Sequence, residues 1–520
     1  MSAAGICPGC GSPLVFRVAT TTTAVCGFCQ SIVVRAGAGV DLVGKTNAVL
    51  VTGSVLHLGL TGAFSGRAFS IVGRTQLQHD LGGVWDEWLL AFDDGRLAWL
   101  AEHQGRLALM AEHKVQEAPQ LASPADATPG SSHLSSIGEL IVVERGEATL
   151  IAEEGELPGR SLPGARRPFI DFSSRNGRFA TLDFGAVQTD GTREGRRFFV
   201  GKEVTLAQLG LAAAVVQEAK LPQAMGSTAL RCPHCGAPVE KKLQTTETLS
   251  CGHCGSVLAV SADNQLGMLF AQESLRFSPI VPLGTKAVLD EGFFQRSKWL
   301  GEQPRPWPTR LAIEVVAHVV RSVVVDGERY HFFEYLLHAE KHGFFWLVES
   351  DGKWLFVRSL EAGLVSEQPR RAMLEGKTFN LEQQNRARIE QVTGELYWKV
   401  NKGDSSMLTD YRHAPRTLSK ESTANEVIWT ECLDVTRADV VRVFGLSLAG
   451  AARLSDEGGG KGEGGGSAQT ELPTGCAVAV VVALILMFLM MATCDDCGGG
   501  SSGGGGHYSS GGGTGFSFGK

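Results

Sequence analysis

The sequence predicts a mainly β protein with two zinc ribbons, two repeated β domains of meander or partly open barrel form, and one C-terminal transmembrane helix. Three observations support this prediction. A four-cysteine pattern occurs twice with identical spacing, a set of strand-like motifs follows each copy of it, and an uncharged apolar run lies near the C-terminus. The chain of 520 residues is long enough for several compact units. The predicted units are a zinc ribbon at residues 1–35, a β domain at 55–215, a second ribbon at 228–260, a second β domain at 280–450, a glycine-rich linker at 455–472, a transmembrane helix at 475–493 and a glycine-rich tail at 494–520.

The two ribbons are predicted from cysteine spacing. Eight of the twelve cysteines form two copies of the pattern C-x2-C-x15-C-x2-C. Each C-x2-C pair can form a tight turn that aims two thiolates at one point, and two such turns complete the tetrahedral shell that zinc accepts. Redox or disulfide cysteines are the alternative, which is disfavoured because the same spacing occurs twice. We therefore predict two structural zinc ions, held by Cys7, Cys10, Cys26 and Cys29 and by Cys232, Cys235, Cys251 and Cys254.

The charge distribution argues against nucleic-acid binding. The net charge is −7, from 48 basic and 55 acidic residues. Residues 1–35 contain only two basic residues, Arg17 and Arg35, and the second ribbon offsets most of its basic residues with acidic ones. Ribbons that bind nucleic acid usually present a cationic face that neutralises phosphates. No nucleic-acid partner is expected.

The segments after the two ribbons repeat one another. Each contains a Leu-Gly pair, an E-[WY]-L-L motif, a W-L-x-E motif, a G-E-L motif and a later D-[FY] pair. The spacing from Glu156 to Asp171 is fifteen positions, as is the spacing from Glu395 to Asp410. The chain is therefore interpreted as a tandem duplication of a ribbon followed by a domain. The signature residues of the repeat are Glu87, Trp99, Glu102, Glu156 and Asp171 in the first copy and Glu334, Trp346, Glu349, Glu395 and Asp410 in the second.

The repeated domains have the sequence pattern of β structure. Short runs rich in aromatic and aliphatic residues are separated by turns such as Asp94-Gly95 and Asp351-Gly352. Asp-Gly between strand-like runs is a hairpin signal, because both central residues of a type I′ turn need positive φ. Each domain is predicted to be a meander or a partly open barrel. The Ser/Pro/Ala-rich stretch at 117–133 is interpreted as a loop within the first copy.

These motifs resemble the bacterial family known as domain of unknown function 4178. The resemblance covers residues about 55–210 and 280–445. The first copy departs from the family pattern after Asp171, where 173–176 replaces the form kept at 418–421. The resemblance implies no activity, and it suggests a link to the membrane-stress response.

The signature carboxylates are the only candidates for an active site. In each copy, the two Glu residues at the W-L-x-E and G-E-L motifs and the later Asp could form a carboxylate group for general acid–base chemistry. The favoured interpretation is structural, with aromatic residues facing inward and carboxylates facing outward on the strands. The sequence contains no nucleophile motif and no phosphate-binding loop. The protein is therefore expected not to be an enzyme.

The apolar run at 476–493 is predicted to span a membrane. It contains no charge and no proline, and its length is about the minimum for a helix that crosses a bilayer. The N-terminus lacks the pattern of a signal peptide, and zinc thiolates persist best in a reducing compartment. We expect a single-pass membrane protein with the bulk of its chain in the cytoplasm. Cys494 and Cys497 lie just beyond the span, and their role is open.

These observations together predict a membrane-anchored, cytoplasm-facing scaffold or sensor that binds protein partners at the membrane. The alternative is a membrane-bound, hydrolase-like enzyme that uses the repeated carboxylates. Nucleic-acid binding through the ribbons is the least favoured function.

Overall fold

The structure is a computed structural model that describes residues 3–446, with two longer gaps at 212–229 and 294–309. Short gaps lie at 37–38, 51, 53, 81, 104–105, 160–161, 189–190, 244–245, 262–264, 273–274, 291 and 340–342. The predicted linker at 455–472, transmembrane helix at 475–493 and tail at 494–520 lie outside the described residues. Within the described part of the chain, no helix is long and apolar enough to cross a bilayer.

The described residues are mainly β, as predicted. The first half contains β1 (Ala3–Ile6), β2 (Pro13–Phe16), β3 (Thr23–Val25), β4 (Ser31–Ala36), β5 (Gly39–Lys45), β6 (Thr61–Phe64), β7 (Arg67–His79), β8 (Val84–Phe92), β9 (Leu97–His103), β10 (Arg106–His113), β11 (Ser132–Ser135), β12 (Gly138–Leu157), β13 (Arg166–Ser174), β14 (Phe179–Asp183) and β15 (Arg197–Val204). The 3-10 turn Pro124–Asp126 lies in the predicted loop at 117–133, and another, Val115–Glu117, ends at its first residue.

The second half repeats this order with one additional strand. It contains β16 (Leu230–Arg231), β17 (Pro238–Val239), β18 (Thr248–Ser250), β19 (Val257–Val260), β20 (Leu266–Phe270), β21 (Lys286–Asp290), β22 (Arg310–Val325), β23 (Glu328–Ala339), β24 (Gly343–Ser350), β25 (Lys353–Leu360), β26 (Ser366–Gln368), β27 (Arg371–Leu374), β28 (Lys377–Leu396), β29 (Ser405–His413), β30 (Arg416–Ser422) and β31 (Val427–Val435). A 3-10 turn (Ala362–Leu364) follows β25, and helix α1 (Arg437–Phe444) follows β31.

Each repeat forms a closed barrel of eight antiparallel strands. In the first, the strands pair in the order β7-β8-β9-β10-β15-β14-β13-β12, and β12 pairs back with β7. In the second, the order is β22-β23-β24-β25-β31-β30-β29-β28, and β28 pairs back with β22. The prediction of a meander or partly open barrel is corrected on this point. A closed barrel leaves no unpaired edge among its wall strands.

Closure depends on the two longest strands. β12 and β28 each have 20 residues. The first half of β12 pairs with β13 and the second half pairs with β7. Shifts in pairing register occur at equivalent places in both strands, near Glu144 in β12 and near Gln383 in β28. Such bulges bend a strand, so one strand can serve both as a wall and as the closing seam.

Strand register shows which residues of the two barrels are equivalent. Trp99 on β9 lies opposite Leu89 and Met110, and Trp346 on β24 lies opposite Leu336 and Val357. Because side chains alternate across a strand, these residues face the barrel interior while their neighbours face outward. The outward residues of the first barrel pack under Leu56, Leu60, Leu209 and Leu211, and those of the second pack under Val440 and Phe444 of α1.

The hairpin turns agree in part with the prediction from Asp-Gly pairs. Asp351 and Gly352 both have positive φ, at 51° and 74°. In Asp94-Gly95, only Gly95 has positive φ, at 82°. Asp326-Gly327 forms a second pair with positive φ at both residues.

Candidate metal centres and signature residues

The two cysteine clusters are each built from two turns of the same form. In every turn, the first cysteine donates its backbone N–H to the residue five positions on, and its carbonyl accepts from the residue four positions on. The residue after the second cysteine has positive φ in all four turns, with values of 77°, 60°, 73° and 71°. Three of these residues are glycines, and the fourth is Gln30. This backbone aims both thiols of a turn at one point.

The thiols converge in both clusters. The four Sγ atoms of each cluster lie within 4.8 Å of one another. Individual Sγ pairs are separated by 3.7 Å between Cys7 and Cys29, and by 3.8 Å between Cys232 and Cys254. All eight cysteines are free rather than joined in disulfides. The structure therefore contains two four-cysteine sites that could hold a metal ion.

Local hydrogen bonds set the acidity of one thiol in each cluster. A hydrogen bond with Ser31 lowers the pKa of Cys29 to about 6. Ser256 occupies the equivalent position in the second cluster and lowers the pKa of Cys254 to about 5. Burial acts in the opposite direction on Cys26, whose pKa is raised to about 11. Each site thus includes a thiol that is ionised at neutral pH, which is the form that binds metal.

The glutamate of the G-E-L motif forms hydrogen bonds that connect each barrel to its ribbon. Glu156 accepts hydrogen bonds from the backbone N–H groups of Arg17 and Val18, at 2.8 and 3.0 Å, and from the Thr21 hydroxyl at 2.9 Å. Strand β3 of the ribbon also pairs with the end of β12, where Ala24 lies opposite Glu156. The ribbon and the barrel are therefore joined by one carboxylate and by a continuous sheet.

The second repeat forms the same contact. Glu395 accepts from the N–H groups of Lys242 and Leu243, each at 3.0 Å, and from the Thr246 hydroxyl at 2.7 Å. Leu249 of β18 lies opposite Glu395. Thr21 and Thr246 were missed by the sequence analysis, although each lies five positions before the third cysteine of its ribbon. Aligning the two ribbons would have shown this shared threonine.

The W-L-x-E glutamates have different partners in the two copies. Glu102 accepts from the Trp88 indole N–H at 3.0 Å and from the Ser54 hydroxyl, and burial raises its pKa to about 7. Glu349 accepts from the backbone N–H of Gly352 at 2.7 Å, within its own hairpin turn. This position is occupied by glutamate in both copies but forms a different contact in each.

The aspartates of the D-[FY] pair bond across the barrel wall. Asp171 on β13 accepts from the Thr181 hydroxyl of β14 at 2.6 Å. Asp410 on β29 accepts from the Gln383 side chain of β28 at 2.6 Å, and burial raises its pKa. The aspartates therefore have partners unrelated to those of the two glutamates described above.

The remaining signature residues, Glu87 and Trp99 with Glu334 and Trp346, line the barrel interiors. Glu87 accepts from the Trp85 indole N–H at 3.3 Å, and both Glu87 and Trp99 line an internal cavity. Glu334 lies 3.4 Å from the Arg321 guanidinium, and burial raises its pKa to about 7. Trp346 packs against Trp398, with 5.5 Å between ring centroids.

Two expectations about the signature carboxylates need revision. Glu87 lines the barrel interior, so the expectation that the carboxylates face outward is wrong for it, and Glu156, Asp171, Glu349 and Glu395 are buried rather than exposed to solvent. The carboxylates of one repeat also share no partner among the hydrogen bonds described above. The carboxylates therefore lie at three separate places, which are the contact with the ribbon, the barrel wall and the barrel interior.

The two repeats also contact each other. The Arg145 backbone N–H donates to the Asn425 carbonyl at 2.9 Å, and the Gly363 N–H donates to the Ser173 hydroxyl at 3.0 Å. Ser173 belongs to the segment where the first copy departs from the repeat pattern. A Cβ atom at Gly363 would lie 2.2 Å from the Ser174 carbonyl oxygen, so the backbones approach closely here. The segment at which the first copy departs from the repeat pattern thus contacts the second repeat.

A largely buried histidine lies near this contact. His79 is paired with Glu144 at 2.8 Å and with Asp80 at 3.0 Å. Burial opposes protonation of His79, but the Glu144 carboxylate outweighs it, with smaller contributions from Asp80 and Glu426 of the second repeat, so its pKa is raised to about 9. Burial raises the pKa of the nearby Glu247 carboxyl to about 8, against the attraction of His79.

Comparison with known families identifies both barrels. Residues 57–206 and 313–436 match the family described as Domain of unknown function (DUF4178). The two matches together cover more than half of the chain. The chain belongs to the DUF4178 family. It contains two tandem copies of the DUF4178 domain, as the repeat predicted. No match was found among curated proteins or among solved structures.

The DUF4178 matches coincide with the barrels and leave out the ribbons. The first begins at residue 57, after the first cysteine cluster, and ends just beyond β15. The second begins within β22 and ends just beyond β31. The DUF4178 domain of this chain is therefore the eight-stranded barrel, and the ribbon is an added module that the barrel receives through Glu156 or Glu395.

Proposed function

We propose that the protein is a membrane-anchored, cytoplasm-facing scaffold or sensor in which each barrel holds a zinc-bound ribbon for contact with a protein partner. The observation that carries this proposal is the contact of Glu156 and Glu395 with the ribbons. Each carboxylate accepts two backbone N–H bonds and one hydroxyl bond, which orients the ribbon relative to the barrel. A module held in this way is suited to present a fixed surface.

Zinc is the metal that the cysteine geometry favours. A tetrahedral ion with Zn–S bonds of about 2.3 Å places its sulfur ligands about 3.8 Å apart. The observed Sγ separations of 3.7 and 3.8 Å agree with that value. Four-cysteine sites without an open position are structural rather than catalytic. The ions would stabilise the ribbons and would take no part in chemistry.

The membrane anchor is supported by the run at 476–493. An apolar helix of 18 residues is about 27 Å long, which is close to the hydrocarbon thickness of a bilayer. A role in the membrane-stress response would fit this location. The partner is expected to be a protein, because the ribbons lack a cationic face.

A membrane-bound, hydrolase-like enzyme is the second candidate. One observation favours it, which is the contact of the Ser54 hydroxyl with Glu102, whose pKa is raised to about 7 by burial. A general acid or base near neutral pH could act there. The separate partners of Glu102, Glu156 and Asp171 favour the scaffold, because an acid–base pair needs its groups at one place.

Two measurements test the proposal. Alkaline carbonate should leave the full-length protein in the membrane fraction, and a variant that lacks 476–493 should be soluble. Affinity capture from solubilised membranes should recover a partner with wild-type protein and lose it with Glu156→Ala or Glu395→Ala. Release of the wild type by carbonate would disprove the anchor. Equal recovery with all three proteins would disprove the scaffold role of the ribbons.

A further inference from the structure

The first barrel encloses a small cavity. Its lining residues come from β7, β8, β9, β12, β13 and β15, which are distributed around the closed barrel, so the cavity lies inside it. Its volume is about 20 Å³. That volume accommodates one group of the size of a water molecule. Leu157, Pro158 and Gly159, which follow directly after Glu156, also line it.

The polar atoms in this lining that have no hydrogen-bond partner within the described part of the chain include two on different residues. One is Oε2 of Glu153, a residue that is only 4% exposed, and the other is the buried Nε of Arg197. Burial raises the pKa of Glu153 to about 8, and an oxygen of this carboxyl can accept a hydrogen bond in either protonation state, whereas Arg197 Nε is a donor. Burying such a group unpaired costs about 1–3 kcal/mol. A bound group that both donates and accepts would satisfy both atoms.

The fold itself does not require these two residues. Glu153 lies opposite Thr75, and Val392 occupies the equivalent position opposite Val319 in the second barrel. Arg197 lies opposite Asp183, and its equivalent is Ile428, opposite Glu421. The second barrel closes with apolar residues at both positions. The Arg197 guanidinium pairs with the buried Asp183 at 2.9 Å, but this pairing leaves Arg197 Nε and Glu153 Oε2 without partners.

The residues that follow the closing strand and lie at the opening of the cavity also differ from their equivalents in the second barrel. Pro158 and Gly159 are equivalent to Tyr397 and Trp398, because Leu157 and Leu396 end the matching strands. Tyr397 packs against Phe344, with 4.3 Å between ring centroids, and Trp398 packs against Trp346. Aromatic rings therefore fill the second barrel where the first has a glycine.

The lining restricts the chemistry of a ligand. Apart from the two cysteine clusters, no group of three or more potential metal ligands converges among the described residues, which argues against a metal ion. An ammonium group could donate to Glu153 but could not accept from Arg197. A hydroxyl group can do both. Trp99 and Phe199 offer apolar ring surface beside the polar pair, as suits the C–H groups of a polyol or sugar.

We propose that the interior of the first barrel binds a hydroxyl group of a small polyol or sugar, between Glu153 and Arg197. The hydroxyl donates to Glu153 Oε2 and accepts from Arg197 Nε, and the rest of the ligand extends past Pro158 and Gly159. The second barrel does not bind. This assignment is independent of both the membrane anchor and the zinc sites.

The test is calorimetric titration of the full-length, zinc-loaded protein in detergent with glycerol, ribose and glucose. We expect one of these probes to bind and to raise the melting temperature by about 2 °C or more at saturation. Glu153→Val, which copies the second barrel, and Gly159→Trp, which copies its closed mouth, should each weaken binding at least about tenfold. Val392→Ala in the second barrel is the matched control and should bind within about twofold of wild type.

Circular dichroism and zinc content identify any variant that has failed to fold. A wild-type protein that gives neither heat nor a thermal shift with all three probes would show that the cavity holds water only, which overturns the proposal. Unchanged binding by Glu153→Val, in a protein with native circular dichroism, would overturn it as well. If Gly159→Trp loses stability, Gly159→Leu serves as the smaller obstruction, with the same expected loss of binding.

Discussion

The two barrels share their register and their contact with a ribbon, but they place buried charge differently. In the first, Arg167 on β13 and Arg197 on β15 pair with Asp183 on β14, at 3.1 and 2.9 Å. In the second, Ser406 occupies the position of Arg167, and the arginine is Arg321 on β22, which lies 2.9 Å from Glu421. Glu421 is the equivalent of Asp183, and Arg321 is the equivalent of Leu77.

This comparison shows that the cations come from different strands in the two barrels, while the carboxylate has kept its place. A buried carboxylate is tolerated when a cation and hydrogen bonds neutralise it, and the cation can come from any strand whose side chain reaches it. A closed barrel offers several such strands, because all of them face one interior. The sequence must therefore supply a cation that neutralises the buried carboxylate, but the position of that cation can differ between the barrels.

The largest expected effect tests the equivalence of the two ribbons. Wild-type protein purified under reducing conditions should contain two zinc ions per chain. Cys7→Ser and Cys232→Ser should each remove one, because a structural site does not hold its ion with three thiolates and binding contributes on the order of 10 kcal/mol to folding of such a module. Atomic emission spectroscopy measures the metal. Zinc near zero in the wild type, or loss of both ions in either variant, contradicts the assignment.

The next effect tests the placement of charge. Arg321→Leu should destabilise the protein by about 3–5 kcal/mol, because it leaves Glu421 and Glu334 inside the barrel without their cation. Adding Ser406→Arg copies the arrangement of the first barrel and should recover at least about half of that loss. Urea denaturation gives the free energies of unfolding. If the double variant is less stable than Arg321→Leu, the two arrangements are not interchangeable.

A pH effect should distinguish the repeats further. The pKa of His79 is raised to about 9, so its contribution to stability is fully present below about pH 6.5 and is lost as the pH rises through about 9. The raised pKa of the Glu247 carboxyl, about 8, acts in the same direction. The pairing register places Val323 of the second repeat at the position of His79.

The wild type should therefore lose about 3 kcal/mol more stability between pH 6 and pH 10 than His79→Val. Denaturation at a series of pH values measures this difference. Parallel curves for the two proteins would show that the His79 and Glu144 pair does not contribute to stability.

The smallest expected effect tests the contact between ribbon and barrel. Glu156→Gln and Glu395→Gln should each cost about 1.5–3 kcal/mol, since each removes the charge from three hydrogen bonds. Hydrogen exchange should become faster at Val18 or at Leu243, respectively, and stay unchanged in the opposite ribbon. Glu203→Gln, at a partly exposed pair with Arg106, is the matched control and should change stability by less than about 1 kcal/mol. Equal effects of Glu203→Gln and Glu156→Gln would contradict the special role of the G-E-L glutamate.

Features set by short-range spacing could be predicted from the sequence. The cysteine turns depend on a few consecutive residues, and the duplication is visible from offsets such as that between Glu156 and Asp171. Closure of the barrels could not be predicted in this way. It depends on pairing between β12 and β7, which are far apart in the chain, and on bulges that leave no clear sequence signal.

The buried arginines and the cavity residues could not be predicted from the sequence for a related reason. Arg167 and Arg321 occupy different strands, so aligning the two copies does not bring them together. Glu153 precedes Glu154 and resembles part of an exposed acidic pair, although its side chain is buried. The role of Pro158 and Gly159 becomes visible only beside Tyr397 and Trp398, once strand register has aligned the two barrels.

The pairing of β3 with the end of β12 has a mechanical consequence. A force that draws the ribbon along the axis of β12 acts in shear on the β3–β12 pairing and on the three hydrogen bonds of Glu156 at the same time. Bonds arranged in parallel must break together, whereas bonds arranged in series open one after another. Tension carried by the ribbon therefore reaches the barrel wall before the ribbon detaches.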